Sequence, residues 1–274
     1  MDPSKILLTD QVAIVTGGGQ GIGEGIALAF ARFGADVVIA DKNAEAGERV
    51  AAAVTEIGRR GLAITTDIRE FDQVQALVDQ TMSDFGRLDI LVNNAGGVRY
   101  SPFLDLGQRG WHKHTALNFD GLFGPTDAAV RAMIKGGRGG SVINVASIEA
   151  LRAAPNYSVY AACKAGMLNF TRTLALELSE HSIRVNGIAP DVVMTPHLLE
   201  YEQQRSDQSG GAESRSRGIP LGRDGTPEDC AGACVFLASA MAAYITGITL
   251  SVDGGTFASS GWSRRPDGTW TLHH

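Results

Sequence analysis

The feature that most restricts the fold of this chain is a glycine cluster placed directly after a short apolar segment. Val12–Val15 predicts a buried strand, and residues 16–23 read Thr-Gly-Gly-Gly-Gln-Gly-Ile-Gly. From Ile22 to Phe33 the apolar residues recur at helical spacing, and Gly34 predicts the end of that helix. Glycines between a strand and a helix let the backbone approach a pyrophosphate, which then lies at the helix N-terminus. This context favours a dinucleotide site over an ordinary tight turn.

Short apolar strands continue to alternate with helices along the chain. Strands are predicted at residues 12–15, 36–40, 62–66, 88–92, 141–145, 183–188 and 248–252. The alternation predicts an α/β fold of the Rossmann type, a doubly wound seven-stranded parallel sheet with helices on both faces. The 274 residues suit a single domain, expected over residues 1–255 and followed by a tail at 256–274. Ligands of such sheets bind at the carboxyl ends of the strands.

Charge and cysteine content exclude several classes of function. The net charge of -6 argues against a nucleic-acid partner, which would need a basic face. No run of about 18 apolar residues predicts a membrane span, and the first ten residues do not resemble a signal peptide. The three cysteines, Cys163, Cys230 and Cys234, form no CxxC pair and have no histidine nearby that would complete a metal site. We therefore expect packed thiols, no metal and a cytoplasmic location.

Asp41 bears on the choice of cofactor. It ends the second predicted strand, 18 residues after Gly23. A carboxylate there can accept hydrogen bonds from the adenosine ribose and repels a 2′-phosphate. Gln20, in the glycine turn, offers such a phosphate no charge, whereas Lys42 could serve NADP. The balance favours NAD.

Further motifs follow the glycine turn in a fixed order. They are Asp67, Asn93-Asn-Ala-Gly96, Asn118, Ser147, Tyr160-Ala-Ala-Cys-Lys164 and the segment from Pro190 to Thr195. Over residues 10–255 the chain thereby closely resembles the classical short-chain dehydrogenase/reductase family. The resemblance implies a catalytic tetrad of Asn118, Ser147, Tyr160 and Lys164, and a homotetramer. The expected cofactor contacts are Gly17, Gly19, Gln20, Gly21, Ile22, Gly23, Asp41, Asp67, Ile68, Asn94, Ala95, Gly96, Tyr160, Lys164, Pro190, Val193 and Thr195.

These residue types suit proton transfer between an alcohol and the protein. Tyrosine has a free pKa of about 10 and is a poor base at neutral pH. Lys164 follows Tyr160 by four residues on one helix face, so its charge, with that of oxidised nicotinamide, is expected to lower the tyrosine pKa. Ser147 can donate a hydrogen bond to the substrate oxygen. Asn118 is expected to interrupt its helix and to hold a water that relays protons from Lys164.

The sequence departs from the family at two positions. Asp191 stands where the family usually has glycine, and aspartate tolerates the left-handed backbone that such a glycine would adopt. Pro125 should kink or interrupt the helix after Asn118. Elsewhere, His112 and His114 flank Lys113 in a polar segment and are expected to be solvated.

The resulting hypothesis is a hydride transfer between NAD(H) and an alcohol/ketone pair on a small to medium, partly apolar substrate. The pocket is expected from residues 97–104, 148–157 and the segment after Thr195, and the candidate polar anchors are Arg99, Arg152, Asn156 and His197. A 3-oxoacyl-thioester (acyl carrier protein) reductase and a cis-dihydrodiol dehydrogenase remain open alternatives. A non-catalytic dinucleotide-binding module is disfavoured because Tyr160 and Lys164 are present.

Two segments outside the motifs carry further expectations. Residues 195–223 are polar and glycine-containing, which predicts a substrate lid. The tail from Thr256 to His274 contains Trp262 and Trp270. We expect it to cross onto a neighbouring subunit and help wall that subunit's substrate pocket; the alternatives are a tail folded back on its own subunit and a disordered tail.

Overall fold

The computed structural model describes residues 2–196, 198–199, 216–265 and 267–272. Its strands are β1 (Val12–Thr16), β2 (Asp36–Asp41), β3 (Gly61–Thr65), β4 (Ile90–Asn93), β5 (Gly140–Val145), β6 (Ile183–Pro190) and β7 (Thr249–Val252). They pair in parallel in the order β3-β2-β1-β4-β5-β6-β7. The seven-stranded, Rossmann-type parallel sheet predicted from the sequence is confirmed, and each strand lies within two residues of its predicted bounds.

Helices cover both faces of this sheet. They are α1 (Gly21–Arg32), α2 (Ala44–Glu56), α3 (Phe71–Phe85), α4 (Phe103–Thr115), α5 (Gly121–Gly136), α6 (Ser158–Glu177), α7 (Pro227–Ala238) and the single turn α8 (Thr256–Ser259). Short 3₁₀ turns occupy Pro3–Ile6, Ile148–Ala150, Ser179–His181 and Ala240–Ala242, and a π-helical turn occupies Ala116–Asp120. In the described part of the chain, no helix is both long and apolar enough to cross a membrane.

Alternate residues of the central strand β1 enter different cores. Ala13 and Val15 pack in a core with α1, α2 and α7, whereas Val12 and Ile14 pack in a second core with α3, α5 and α6. All four side chains are buried. A strand covered on both faces reads as a continuous apolar run, which is why β1 lacks the usual apolar-polar alternation.

The strand order reverses between β1 and β4. The chain first runs outward through β2 and β3, then returns to place β4 on the other side of β1, with Ile14 opposite Leu91. Such a reversal opens a crevice at the carboxyl ends of the two strands, where ligands bind in open α/β sheets. The glycine turn after β1 and the Asn94 loop after β4 therefore meet at this crevice.

The region between β4 and β5 corrects two sequence-based expectations. His114, predicted to be solvated, is only 8% exposed, because α4 packs against α6. Pro125 does not interrupt its helix, since α5 is continuous from Gly121 to Gly136. The irregularity lies one turn earlier, in the π-helical turn that contains Asn118.

The tail forms a small unit of its own after the sheet is complete. Helix α8 leads into an antiparallel pair, β8 (Ser263–Arg264) and β9 (Trp270–Thr271). The Arg264 guanidinium lies 4.7 Å from the centre of the Trp270 ring. The expected lid at 195–223 falls largely outside the described residues, as do His197 and the last two residues of the tail.

Candidate active site

The glycine turn closes on itself so tightly that side chains would not fit. A Cβ added at Gly23 would lie 2.2 Å from the Gly17 carbonyl oxygen, and one at Gly17 would lie 2.9 Å from the Ala95 Cα. Gly17 and Gly21 have φ values of +62° and +58°, which glycine adopts at little cost. The turn leads into the first residues of α1, with Gln20 at its N-cap position. This backbone cradle fits a pyrophosphate group.

Asp41 lies at the edge of this cradle, at the end of β2. Its Oδ2 accepts a hydrogen bond from the Gly19 backbone N–H at 2.9 Å, and its Oδ1 accepts one from the Asn43 N–H at 2.9 Å. Arg49 approaches from α2 and donates to the Gly19 carbonyl at 2.9 Å while it pairs with Glu24. The Asp41 carboxylate is thus held against the glycine turn, where the sequence predicted a ribose acceptor.

Thr16 joins the glycine turn to the loop after β4. Its Oγ1 donates to the Val92 carbonyl at 3.1 Å and accepts hydrogen bonds from the backbone N–H groups of Asn94 and Ala95 at 3.0 and 3.1 Å. The Asn94 Nδ2 donates to the carbonyls of Thr16 and Gly17 at 2.9 and 3.0 Å. These contacts fix the two loops against each other and leave Gly96 beside the crevice.

Asp67 and Ile68 follow β3, at the outer side of the crevice. The Asp67 carboxylate pairs with the Arg69 guanidinium, and this hydrogen bond lowers the pKa of Asp67 to about 2. Ile68 is buried and contacts the start of α5 at Gly121. Asp67 therefore stays ionised at neutral pH, with Arg69 as its partner.

The segment after β6 returns over the glycine turn. Beyond Pro190, Val193 forms a parallel bridge with Gly225. The Thr195 side chain then lies beside Gly21, since a Cβ added there would be 3.1 Å from the Thr195 Cγ2. The structure brings Pro190, Val193 and Thr195 to the same crevice as the glycine turn.

Ser147 and Tyr160 meet at the carboxyl end of β5. Burial raises the pKa of Tyr160 to about 12, the nearby Glu149 carboxylate adds to this rise, and a hydrogen bond with Ser147 opposes it. The sequence-based prediction was that Lys164 together with oxidised nicotinamide lowers this pKa; among the protein's own groups, burial has the largest effect on the pKa. The reason is that the free energy lost by removing a phenolate from water exceeds the stabilisation that the neighbouring groups give to its charge.

Lys164 is buried one helical turn after Tyr160. Lys164 is only 3% exposed. Its ammonium group donates to the Val145 carbonyl at 2.8 Å and lies 5.8 Å from the centre of the Tyr160 ring. Burial lowers the pKa of Lys164 to about 8. An ammonium has three donors, and within the described chain only Val145 accepts from this one. The remaining donors are free for a ribose hydroxyl and a water.

Asn118 completes the expected tetrad from the π-helical turn. Its Nδ2 donates to the carbonyls of Gly97 and His114 at 2.8 and 3.1 Å, and its Oδ1 accepts from the Gly97 N–H at 3.0 Å. The expected local break in the helix is present at this residue. A Cβ added at Gly96 would lie 3.0 Å from the Asn118 Oδ1 and 3.5 Å from the Lys164 Nζ, so the two polar groups border one small space.

The substrate side combines aromatic rings with a group of charged side chains, only some of which were predicted from the sequence. Tyr157 makes edge-to-face contacts with Tyr100 at 5.4 Å and with Tyr160 at 6.5 Å between ring centres. Asn156 donates to the Tyr100 hydroxyl at 2.6 Å.

Arg152 pairs with both Glu149 and Asp191. The backbone of Asp191 is not left-handed, in contrast to the expectation from the sequence. The contribution of Asp191 is the ion pair between its carboxylate and Arg152. The expected anchors Arg152 and Asn156 are brought to the site. Glu149 was missed, because nothing in its local sequence distinguishes it from a solvated residue.

The assembled crevice fits a nicotinamide dinucleotide. The glycine cradle suits the pyrophosphate, Asp41 suits the adenosine ribose, and the unused Lys164 donors suit the second ribose. Tyr160 and Ser147 then lie beside the place left for a nicotinamide ring and a substrate oxygen.

Comparison with known proteins supports this interpretation of the crevice. A family model described as enoyl-(acyl carrier protein) reductase matches residues 17–256. The 2-dehydro-3-deoxy-D-gluconate 5-dehydrogenase of Escherichia coli K12 is 39% identical over 255 residues, which cover 93% of this chain and 98% of the relative. A 3-oxoacyl-[acyl-carrier-protein] reductase of Chlamydia muridarum is 39% identical over 91% of this chain and 98% of its own. The crystal structure of a 7α-hydroxysteroid dehydrogenase with NADH and 7-oxo glycochenodeoxycholic acid superposes with a TM-score of 0.86 at 35% identity, covering 93% of this chain and 97% of the other.

Proposed function

Because the chain belongs to the short-chain dehydrogenase/reductase family, we propose that it is an NAD-dependent dehydrogenase whose acid–base is Tyr160. The relatives named above are a dehydrogenase and a reductase, and the hydroxysteroid dehydrogenase among the structural neighbours binds NADH. The observation that carries the finer assignment is the meeting of Ser147, Tyr160 and Lys164 at the end of β5, beside the glycine cradle.

The chain's own residues account for the proton chemistry. When bound, the nicotinamide supplies the hydride acceptor or donor. In the oxidative direction the Tyr160 oxygen takes the hydroxyl proton of the substrate, while Ser147 donates a hydrogen bond to the same substrate oxygen. Lys164 would hold a positive charge near the developing phenolate and so oppose the burial that raises the pKa of Tyr160 to about 12. Asn118 and Lys164 border the space through which a water can return the proton.

The preference for NAD rests on Asp41. Its carboxylate accepts from the Gly19 and Asn43 N–H groups and so cannot readily turn away from the ribose position. A 2′-phosphate would meet this negative charge, and Arg49, the nearest described cation on α2, is already paired with Glu24.

The test is a panel of primary, secondary and cyclic alcohols and their ketones, followed by NADH absorbance. Tyr160→Phe should then reduce kcat by about 10²–10⁴-fold while NADH binding is retained, because only the ionisable hydroxyl is removed. Tyr244→Phe is the control, since Tyr244 is fully exposed in the segment between the Ala240–Ala242 turn and β7. If Tyr160→Phe keeps more than about a tenth of the wild-type kcat, Tyr160 is not the proton donor.

A second candidate, a 3-oxoacyl-thioester reductase, is favoured by one observation. Arg69, Arg109, His112 and Lys113 surround a cavity of about 450 Å³ between α4 and the loop after β3. Such a basic cluster could attract the phosphate of a carrier protein or coenzyme. Turnover of acetoacetyl-coenzyme A with NADPH, lost when Arg109 and Lys113 are both changed to glutamine, would establish this alternative over the first.

We also infer a homotetramer in the cytoplasm. The three cysteines are free and buried, as suits a reducing compartment. Helices α5 and α6 present Phe123 and Leu176 at 40% and 76% exposure, a cost that a subunit interface would remove. The tail, whose Trp262 and Trp270 are each 43% exposed, is proposed to contact a neighbouring subunit. Sedimentation of the purified chain measures this state directly.

A further inference from the structure

A group of three charged side chains outside the tetrad begins at Glu149, two residues after Ser147. The Arg152 Nη2 donates to the Glu149 Oε1 at 3.0 Å and to the two Asp191 carboxylate oxygens at 3.1 and 3.2 Å. Asp191 also accepts a hydrogen bond from the Thr256 hydroxyl in the tail. We call Glu149, Arg152 and Asp191 the charged triad. Its three side chains are 19%, 35% and 11% exposed, so they line the site rather than the open surface.

The charged triad keeps unused hydrogen-bonding capacity of both kinds. A guanidinium carries five N–H donors and a carboxylate accepts at both oxygens. Of the Arg152 nitrogens only Nη2 is engaged, and the Glu149 Oε2 is not engaged, by any residue in the described ranges. A donor and an acceptor side by side match a hydroxyl group, which both accepts and donates.

The charged triad also lies close to the reacting position. The Glu149 backbone N–H donates to the Ser147 Oγ at 3.2 Å. The Glu149 carboxylate is near enough to Tyr160 to disfavour the ionised phenol. A substituent on the carbon next to the reacting carbinol would therefore approach Glu149 and, through the Glu149–Arg152 pair, Arg152.

A cavity of about 580 Å³ adjoins Arg152 and Asp191 of the charged triad. Arg152, Asp191 and Thr256 form one side of it, and Phe257 and Trp262 from the tail form another. Aromatic walls suit an apolar carbon skeleton. The cavity thus has the charged groups Arg152 and Asp191 on one side and aromatic rings on the other.

We propose that the substrate is a vicinal diol, with one hydroxyl at Ser147 and Tyr160, the neighbouring hydroxyl held by Glu149 and Arg152, and the skeleton in the cavity. The inference rests on the proposed dehydrogenase function and specifies its substrate. Oxidation converts one CH–OH to C=O: the hydroxyl proton passes to Tyr160, and the carbon's hydrogen leaves with two electrons to the oxidised cofactor. The product is an α-hydroxyketone. A carboxylate in place of the second hydroxyl would be repelled, since the charged triad carries one positive and two negative charges.

The test compares matched substrates that differ by one group. We expect kcat/KM for cis-1,2-cyclohexanediol to exceed that for cyclohexanol by about 10- to 100-fold, the usual effect of a hydrogen bond to a charged group. The same ordering should hold for 2,3-butanediol against 2-butanol. cis-2-Hydroxycyclohexanecarboxylate should be oxidised no better than cyclohexanol.

Substitution then assigns the preference to the charged triad. Glu149→Gln and Arg152→Gln should each reduce the diol-to-monool ratio at least fivefold. Arg131→Gln, which breaks the exposed Arg131–Asp127 pair on α5, should leave the ratio unchanged. NADH binding and the Tm of each variant show whether the variant is folded. The comparison of diol with monool on the wild-type enzyme tests the diol proposal without any variant.

Equal kcat/KM for the diol and the monool in both pairs would overturn the diol proposal and leave the dehydrogenase assignment intact. A preference for the hydroxy acid, or an unchanged ratio in both triad variants, would overturn the role of the charged triad. Failure to turn over any alcohol or ketone with either cofactor would refute the dehydrogenase function and the diol proposal together.

Discussion

Replacing Asp41 by asparagine is the sharpest test of the cofactor half of the site. The change keeps the shape of the side chain and removes its charge. In the structure each carboxylate oxygen accepts one backbone hydrogen bond, from Gly19 and from Asn43, both at 2.9 Å. An amide can satisfy one of these donors through its oxygen but presents an NH₂ group to the other. The variant therefore loses its charge and loosens the glycine turn at Gly19.

The expected magnitude follows from the interactions that disappear. A hydrogen bond to a charged group contributes about 1.5–3 kcal/mol, so losing one between Asp41 and the ribose should raise the KM for NAD by about 10- to 100-fold. NADP loses the same contact but also escapes repulsion of its 2′-phosphate. The ratio of kcat/KM for NAD to that for NADP should therefore fall by at least about tenfold. Initial rates with each cofactor at a fixed, saturating alcohol give this ratio.

Asp36→Asn provides the control, because it makes the same change on the same strand. Asp36 lies at the opposite end of β2, where it pairs with Arg59 at 2.8 Å, far from the glycine turn. It should leave the cofactor ratio within twofold of the wild type. A wild-type enzyme that already prefers NADP, or an Asp41→Asn variant whose ratio matches that of Asp36→Asn, would refute the assignment of Asp41.

Three further predictions follow from other parts of the structure. Gly23→Ala places a Cβ 2.2 Å from a backbone oxygen of the glycine turn and should weaken NADH binding at least tenfold by calorimetry, whereas Gly232→Ala, where an added Cβ meets nothing within 4 Å, should not. The kcat/KM for oxidation should rise with pH between 6 and 9, because burial raises the pKa of Tyr160 and the deprotonated tyrosine is the base. Lys164→Met should move this rise to higher pH. An unchanged pH profile would show that Lys164 does not influence the ionisation of Tyr160. Truncation after Ser259 should change both the gel-filtration volume and the KM if the tail joins subunits, and an active oligomer with unaltered KM would show that it does not.

The fold could be predicted because its signals are local. The five inner strands are apolar runs of four to eight residues that are covered on both faces. The glycines that end helices can each be recognised from the local sequence. The meeting of the glycine turn with the Asn94 loop followed from topology alone, since the carboxyl ends of parallel strands share one edge. Helix α4 escaped prediction because its composition is polar and Gly107 breaks its helical backbone with a φ of 62°. The burial of His114 depends on the packing of α4 against α6, and the local sequence pattern does not predict this contact.

The two halves of the site differ in how far the sequence determines them. The cofactor half is built from backbone N–H groups and glycine conformations, which depend on adjacent residues and can be read from a continuous motif. The substrate half joins side chains that are remote in sequence: Arg152 meets Asp191 across 39 residues, and Asp191 meets Thr256 across 65. Family resemblance predicts glycine at position 191 and so gives no reason to expect this contact. The aspartate that departs from the family pattern pairs with Arg152 and accepts a hydrogen bond from Thr256 at the start of the tail. Substrate choice in this chain should therefore depend on Asp191 more than on any residue of the tetrad, and an Asp191→Gly variant should lose selectivity among alcohols before it loses the ability to oxidise them.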